Sequence, residues 1–268
     1  MRHLRFLKFI AVAIAVAFGA PTLAADKNAR EVTEALVNAT VEAPADFSTL
    51  DLSYLDLAAL DFKAANLSDC DLYGSDLTNA KLAGANLAHT RLDRALIIGA
   101  DFSGANLERA SMLRPTVFSD MKFNRVEAPR FTGARLVGMR LQARIDGADF
   151  SRADLTDADF SPYEDRPGEG TITTVPRNEM SGADFTGAVM KRINLSRAIL
   201  RFVKLRDADL TDASLREADL TQADFTGANV TGVDFTGADL TRADLSKAIG
   251  LDKAKGFERA SSSGAVLR

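Results

Sequence analysis

The chain is predicted to be all-β: a four-sided parallel β-helix of about nine coils with a short helical cap at its N-terminal end. Three observations predict it. Large apolar residues recur at every fifth position along most of the 268 residues. A small apolar residue, usually Ala, stands two places before each, with Asp or Asn between them. The two residues that follow are rich in Ser, Thr, Gly and Asp, the composition of tight turns.

A spacing of two puts both apolar side chains on one face of an extended backbone and the intervening Asp or Asn on the other. An α-helix cannot keep one apolar stripe on a five-residue period, because its 3.6-residue turn rotates each successive apolar residue away. A flat strand fails too, since residues five apart point to opposite faces. A short extended piece followed by a corner, repeated, satisfies the pattern. Gly, which accepts positive φ without strain, marks many of the corners, as in Phe225-Thr226-Gly227 and Phe235-Thr236-Gly237.

The elements follow in chain order. Residues 1–24 have a basic start (Arg2, Arg5, Lys8) and a twelve-residue apolar run from Phe9 to Ala20, the signature of a secretory signal peptide cleaved after Ala24, with Ala25 as the alternative. Twelve residues fall short of the roughly 20 that span a bilayer as a helix. The expected localisation is therefore export to the periplasm or medium, with no stable membrane insertion after cleavage. Losing the three basic residues takes the formal charge from -4 to -7. Residues 25–44 form the cap segment, with Val32, Leu36 and Val37 at helical spacing to lie across the first coil. Uncapped, that coil would expose strand edges and an open core.

Residues 45–249 carry the repeat. The predicted core runs through Phe47, Leu52, Leu57, Phe62, Leu67, Leu72, Leu77, Leu82, Leu87, Leu92, Phe102 and Leu107. It resumes at Phe150, Leu155 and Phe160, and again through Phe185, Leu195, Leu205, Leu210, Leu215, Leu220, Phe225, Phe235, Leu240 and Leu245. Four units per coil stack residues twenty apart, so Phe62, Leu82 and Phe102 form one inward column and Phe185, Leu205, Phe225 and Leu245 form another. Cys70 falls in a small inward slot, which makes it core filler; as the single cysteine it forms no intrachain disulfide. The phase slips over residues 118–145, where bulged coils are expected. It breaks again over 161–179, a Pro- and Gly-containing stretch read as either a loop ejected at a corner or a degenerate coil. Residues 250–268 read as a C-terminal plug, through Leu251 and Phe257, followed by a loose tail.

With its A-(D/N)-(L/F)-x-x units in long series, the chain resembles the pentapeptide-repeat family. The resemblance implies a right-handed quadrilateral β-helix. It also implies an alternative function, because some members of that family are similar in outline to duplex DNA and protect type II topoisomerases.

Outside, Asp46, Asn66, Asn86 and Asn106 stack as a mainly amide ladder, while Asp51 over Asp71 and Asp219 over Asp239 call for cations or backbone donors. Charge runs acid, base, acid along the rod: eight acidic and three basic residues from Glu42 to Leu92, two and seven from Arg114 to Arg144, nine and two from Asp207 to Ser246. Arg125, Arg130, Arg135 and Arg140 at five-residue steps form a candidate binding belt, with an ordinary solvated band as the bland reading. Tyr163, Arg166 and Arg177 are the candidate partner contacts of the 161–179 loop, with a tolerated insertion as the alternative.

Catalytic chemistry finds little material. Beyond the signal segment His89 is the sole histidine, so neither a His-based triad nor a His metal cluster is available. The glycines mark corners and frame no phosphate-binding loop. The expectation is a non-enzyme with no cofactor and no metal, an exported scaffold or protein-interaction module. Its partner would be another protein or a cell-envelope component, nucleic acid being disfavoured by the net negative charge. A second copy stacked on an end coil is a further candidate partner.

Overall fold

The structure, a computed structural model, describes residues 25–120, 124–162 and 176–267. The repeat coils as predicted. Parallel bridges join Asp46 to Asn66, Asp51 to Asp71, Asp56 to Asp76 and Asp61 to Lys81, so residues twenty apart lie over one another on each of four sides. On the fourth side nine bridges in series connect Asp61, Lys81, Asp101, Arg130, Asp149, Asp184, Lys204, Asp224, Asp244 and Val266. Nine steps of about 4.8 Å make a stack about 43 Å long.

One unit shows why the motif has its residues. In Asn66-Leu67-Ser68-Asp69-Cys70, the Asn66 N–H donates to Ala45 O in the coil before, and the Leu67 and Asp69 N–H groups donate to Asn86 O and Ala88 O in the coil after. The Cys70 N–H closes a four-residue turn on Leu67 O at 3.2 Å, with Asp69 at φ 58°, the φ that a type II turn requires at its third residue. That leaves the Ser68 N–H, which no carbonyl meets. The Asn66 side-chain oxygen accepts it at 3.2 Å. The same side-chain-to-(i+2) bond recurs at Asp51, Asp71, Asp76, Asp149, Asp209, Asp234 and Asp244. Asp and Asn are the side chains that make this bond readily.

The predicted core residues are each no more than 1 % exposed. Some small inward slots carry polar atoms that are fully partnered: Ser75 Oγ donates to Leu52 O at 2.8 Å and Thr90 Oγ1 to Leu67 O at 2.7 Å.

The two irregular stretches leave the coil at adjacent corners. Bridges from Asp101 to Arg130 and from Asn106 to Arg135 span 29 residues, so the excess leaves between Thr116 on the third side and Arg130 on the fourth. Strand β1 (Ser111–Leu113) and strand β2 (Arg140–Gln142) pair in parallel across the same step. The next coil is one residue short, with bridges of 19 residues. The second excursion leaves between Asp159 on the second side and Glu179 on the third. Arg144 bridges Glu179 directly and Asp159 bridges Asn194, so the stack holds no layer for a degenerate coil. Asn178 secures the re-entry: fully buried, it donates to Leu141 O at 3.0 Å and Phe160 O at 2.6 Å and accepts the Ala143 N–H at 2.6 Å.

Consequently the two predicted inward columns are one. Phe131 and Phe150 bridge them, and Phe102, Phe131, Phe150 and Phe185 stack face to face with centroids 5.0, 4.8 and 4.8 Å apart and ring planes within 4°. Stacked aromatic rings add to burial when offset, and here they carry the core through both disturbed coils.

The N-terminal end is closed by helix α1 (Ala29–Asn38), which starts on an Asn28–Glu31 capping box and buries Val32 and Leu36; Val37 stays exposed. Lys63 Nζ reaches up to the carbonyls of Leu36 and Ala39 at 2.8 and 3.0 Å, a cation on the negative end of the helix. Asp26 pairs the first strand edge, donating to Asp51 O and accepting the Asp51 N–H, both at 2.7 Å. At the far end the expected loose tail is instead coiled. Ser261 and Val266 bridge Asp239 and Asp244, and 3₁₀ turns at Leu251–Lys253 and Phe257–Arg259 take up the extra residues.

Phe150→Ala, in the middle of the ring stack, is expected to cost about 3–5 kcal/mol. A chemical-denaturation midpoint no lower than that of the unaltered protein would show that the column does not hold the disturbed coils together.

Candidate functional site

Four arginines encircle the rod, one per side: Arg130 on the fourth, Arg135 on the first, Arg140 on the second and Arg144 on the third. Arg144 thus takes the place expected for Arg125, which lies in the excursion and not on the belt. The short coil accounts for the shift, since four residues separate Arg140 from Arg144 where five were expected.

The belt is not a free basic surface. Arg130 pairs with Asp101 at 2.8 Å, Arg135 with Glu108 at 3.0 Å and Asp154 at 3.5 Å, Arg140 with Asp159 at 3.9 Å, and Arg144 with Asp146 at 3.1 Å and Glu179 at 3.4 Å. All but Arg144–Asp146, which lies within one coil, join neighbouring coils, and all stay partly exposed. Such pairs contribute about 0–1 kcal/mol apiece, but together they neutralise the band that composition marks as basic. Further along, Lys191, Arg201, Arg206 and Arg216 at corners reach Asp209, Asp219, Asp224 and Asp234 in the same way.

The acidic columns are likewise occupied. In the amide ladder Asn66, Asn86 and Asn106 each donate Nδ2 to the side-chain oxygen of the residue below at 3.0 Å. Asp71, beneath Arg91, accepts its guanidinium at 2.9 Å and the Tyr73 N–H at 2.8 Å. Where the outward residue is Ser111 or Glu179, an Asp from the coil below takes over the orphan amide: Asp93 accepts the Leu113 N–H at 2.9 Å and Asp146 the Ser181 N–H at 2.8 Å.

Asp209 shows the electrostatic result. Burial pushes its pKa up, yet the Thr211 hydroxyl at 2.5 Å, the Thr211 N–H at 3.1 Å and Lys191 at 3.2 Å together hold it below the ordinary carboxylate value. Cys70 goes the other way. Its buried thiol donates to Phe47 O at 2.6 Å, and burial lifts its pKa to about 12, so no thiolate nucleophile exists at neutral pH. His89 sits at an exposed corner with Nδ1 3.2 Å from Asp69.

Of the loop candidates, Arg177 is exposed, while Tyr163 and Arg166 lie outside the described residues. Sequence reasoning missed Asn178; its signal was an amide in a slot where the repeat calls for Ala. It also missed the exposed corner where the Tyr54 ring packs on Gly74 and edge-to-face on Tyr73, 5.4 Å between centroids, with Arg91 stacked 4.2 Å over Tyr73. A Cβ at Gly74 would come within 2.9 Å of the Tyr54 ring, so only glycine admits that contact. Among the described residues no helix is long and apolar enough to cross a membrane.

The family model for pentapeptide repeats matches in eight copies over residues 45–79, 75–112, 130–161, 179–216 and 213–249, skipping both excursions. The match is to a repeat family and not to a catalytic one. HetL from the cyanobacterium Nostoc, a pentapeptide repeat protein involved in heterocyst differentiation regulation, is similar at 26% identity over 90% of this chain and 93% of its own, with a TM-score of 0.50. A pentapeptide repeat protein of the Arabidopsis thaliana thylakoid lumen matches at 33% identity over 33% of this chain and 61% of its own, TM-score 0.32. Full-length QnrB1, a plasmid-mediated fluoroquinolone resistance protein, matches at 18% identity over 77% and 88%, TM-score 0.27. A search of curated proteins finds no match.

Two outcomes follow from the titrating groups. Ellman's reagent should leave Cys70 untouched in the folded protein and label it fully in denaturant; rapid native labelling would contradict the buried thiol. For Asp209 the folded pKa is depressed, so its stabilisation is complete above the unfolded value near about 3.9 and is lost as pH falls through the lower folded value. The melting temperature should therefore drop below about pH 4, and Asp209→Asn should flatten that drop; an identical acid profile in the variant would refute the assignment.

Proposed function

The chain belongs to the pentapeptide-repeat family, and on that premise we propose that it is a non-catalytic scaffold, exported from the cytoplasm, that works by binding another protein or a cell-envelope component. One observation carries the reading: the groups with reactive potential are already used by the fold. Cys70 is a core donor, the described column aspartates accept turn amides, and the belt arginines are paired with acids in adjacent coils. What the molecule offers a partner is a rigid surface of repeating geometry, suited to recognition.

Export rests on the composition of residues 1–24, which lie outside the described residues. The DNA-mimic alternative is disfavoured on two grounds. Export would separate the protein from a cytoplasmic topoisomerase, and the arginine belt interrupts any continuous run of negative charge. Stacking of a second copy on the last described coil belongs to the same proposal, since Ile249 and Val266 are exposed there.

Fractionation of cells expressing a C-terminally tagged chain tests it. The expected product is processed and recovered outside the cytoplasm; a full-length product confined to the cytoplasm would overturn the exported reading and restore the DNA mimic.

A further inference from the structure

The first excursion and the coils that follow it enclose an open groove of about 550 Å³ along the corner between the third and fourth sides. This lies in the size range of pockets that take a ligand or a few side chains. Gly147 and Gly182 at successive corners form its floor, the Arg125–Arg130 segment overhangs one flank, and Phe202 and Lys204 line the other.

Two of its residues are costly choices that the fold does not ask for. Phe202 is 55 % exposed and has φ 58°, a conformation that is a strained outlier for a bulky side chain. The corner stacked below it holds Gly182 and the one above holds the polar Gln222, and the inward slots beside Phe202 are already filled by Leu200 and Val203. Val126, on the opposite flank, is 86 % exposed. Packing explains neither.

The charges in the groove are partnered with one exception. Lys204 holds Asp184 at 3.0 Å, Arg130 holds Asp101 at 2.8 Å, and Asp149 accepts the Thr132 hydroxyl at 2.8 Å and the Ser151 N–H at 2.9 Å. Asp149 is thus held by hydrogen bonds alone, and Arg125 is the cation of the groove that has no ion pair among the described residues. The unmet demand is therefore one anion beside an exposed aromatic ring and an exposed aliphatic side chain.

We propose that this groove binds an extended segment of a partner protein that places an acidic side chain on Arg125 and a neighbouring apolar side chain against Phe202 and Val126. The inference rests on the scaffold reading and names the partner chemistry of one surface. Aromatic and arginine side chains are the usual anchors of such contacts. A nucleic-acid strand, with a base on Phe202 and a phosphate on Arg125, is the competing class, disfavoured by the acidic net charge of -4.

The full chain, immobilised, would be used to select from a phage-displayed random peptide library. The enriched consensus would be synthesised, and its affinity measured by fluorescence anisotropy beside a dT12 oligonucleotide. The expected consensus carries Asp or Glu within two residues of an aromatic or aliphatic residue. Phe202→Asn, which suits the left-handed corner, should keep the melting temperature and weaken the peptide at least about tenfold, a loss of 1.4 kcal/mol or more. Arg125→Glu should weaken it similarly, and a peptide with Lys in place of the acid should regain affinity for that variant. No consensus, peptides indifferent to both substitutions, or oligonucleotide binding abolished by Phe202→Asn would each overturn the proposal. A photo-crosslinking amino acid at Phe202 or at Tyr54, in expressing cells, separates the two levels of inference. A protein crosslinked from Tyr54 but not from Phe202 removes the groove and leaves the scaffold reading; none from either removes both.

Discussion

One backbone amide in every five has no carbonyl to meet, and the molecule is organised around supplying it. The N–H two residues after each outward position faces neither adjacent coil, and an unpaired buried or half-buried amide costs about 1–3 kcal/mol. An Asp or Asn at the outward position accepts it, as Asn66 does for Ser68 and Asp209 for Thr211. The surface of the rod is therefore acidic and amide-rich for a reason internal to the fold. Where the accepting residue is missing, the coil below provides one, as Asp93 and Asp146 do for Leu113 and Ser181.

Stacking then multiplies the consequence. Carboxylates placed one above another would repel, and the rod relieves this with amides on the first side and with interleaved Lys and Arg on the second and fourth. Basic residues that look available in the sequence are used as counter-ions between coils. The same coupling explains why functional groups are hard to recognise here: a side chain that the fold already uses carries no separate chemical signal. Residues in a position to act on a partner are those whose presence the stacking does not explain, among them Phe202, Val126 and the Tyr54 corner.

The excursions show how a repeat absorbs irregularity. Both leave at corners, where the chain already turns, and both preserve the inward ring column. Asn178 replaces with one side chain the backbone partners that re-entry would otherwise lack. Buried polar atoms in so narrow a core are tolerated only when fully bonded, which Ser75, Thr90 and Cys70 satisfy by donating to carbonyls of the coil below.

The five-residue period, the inward apolar pair and the outward Asp or Asn are local properties, and the sequence alone determined from them the coil, its four sides and its core from Phe47 to Leu245. Register across the excursions is a non-local property. Nothing in the length of a loop states at which corner it leaves or which layer it rejoins, and that is settled by hydrogen bonds between residues 19, 29 or 35 apart. Only the tertiary structure could therefore join the two phenylalanine columns, put Arg144 rather than Arg125 on the belt, coil the residues up to Val266 and pair each belt arginine with an acid. A side chain is free or occupied according to what lies one coil away, and that neighbour is set by stacking, not by adjacency along the chain.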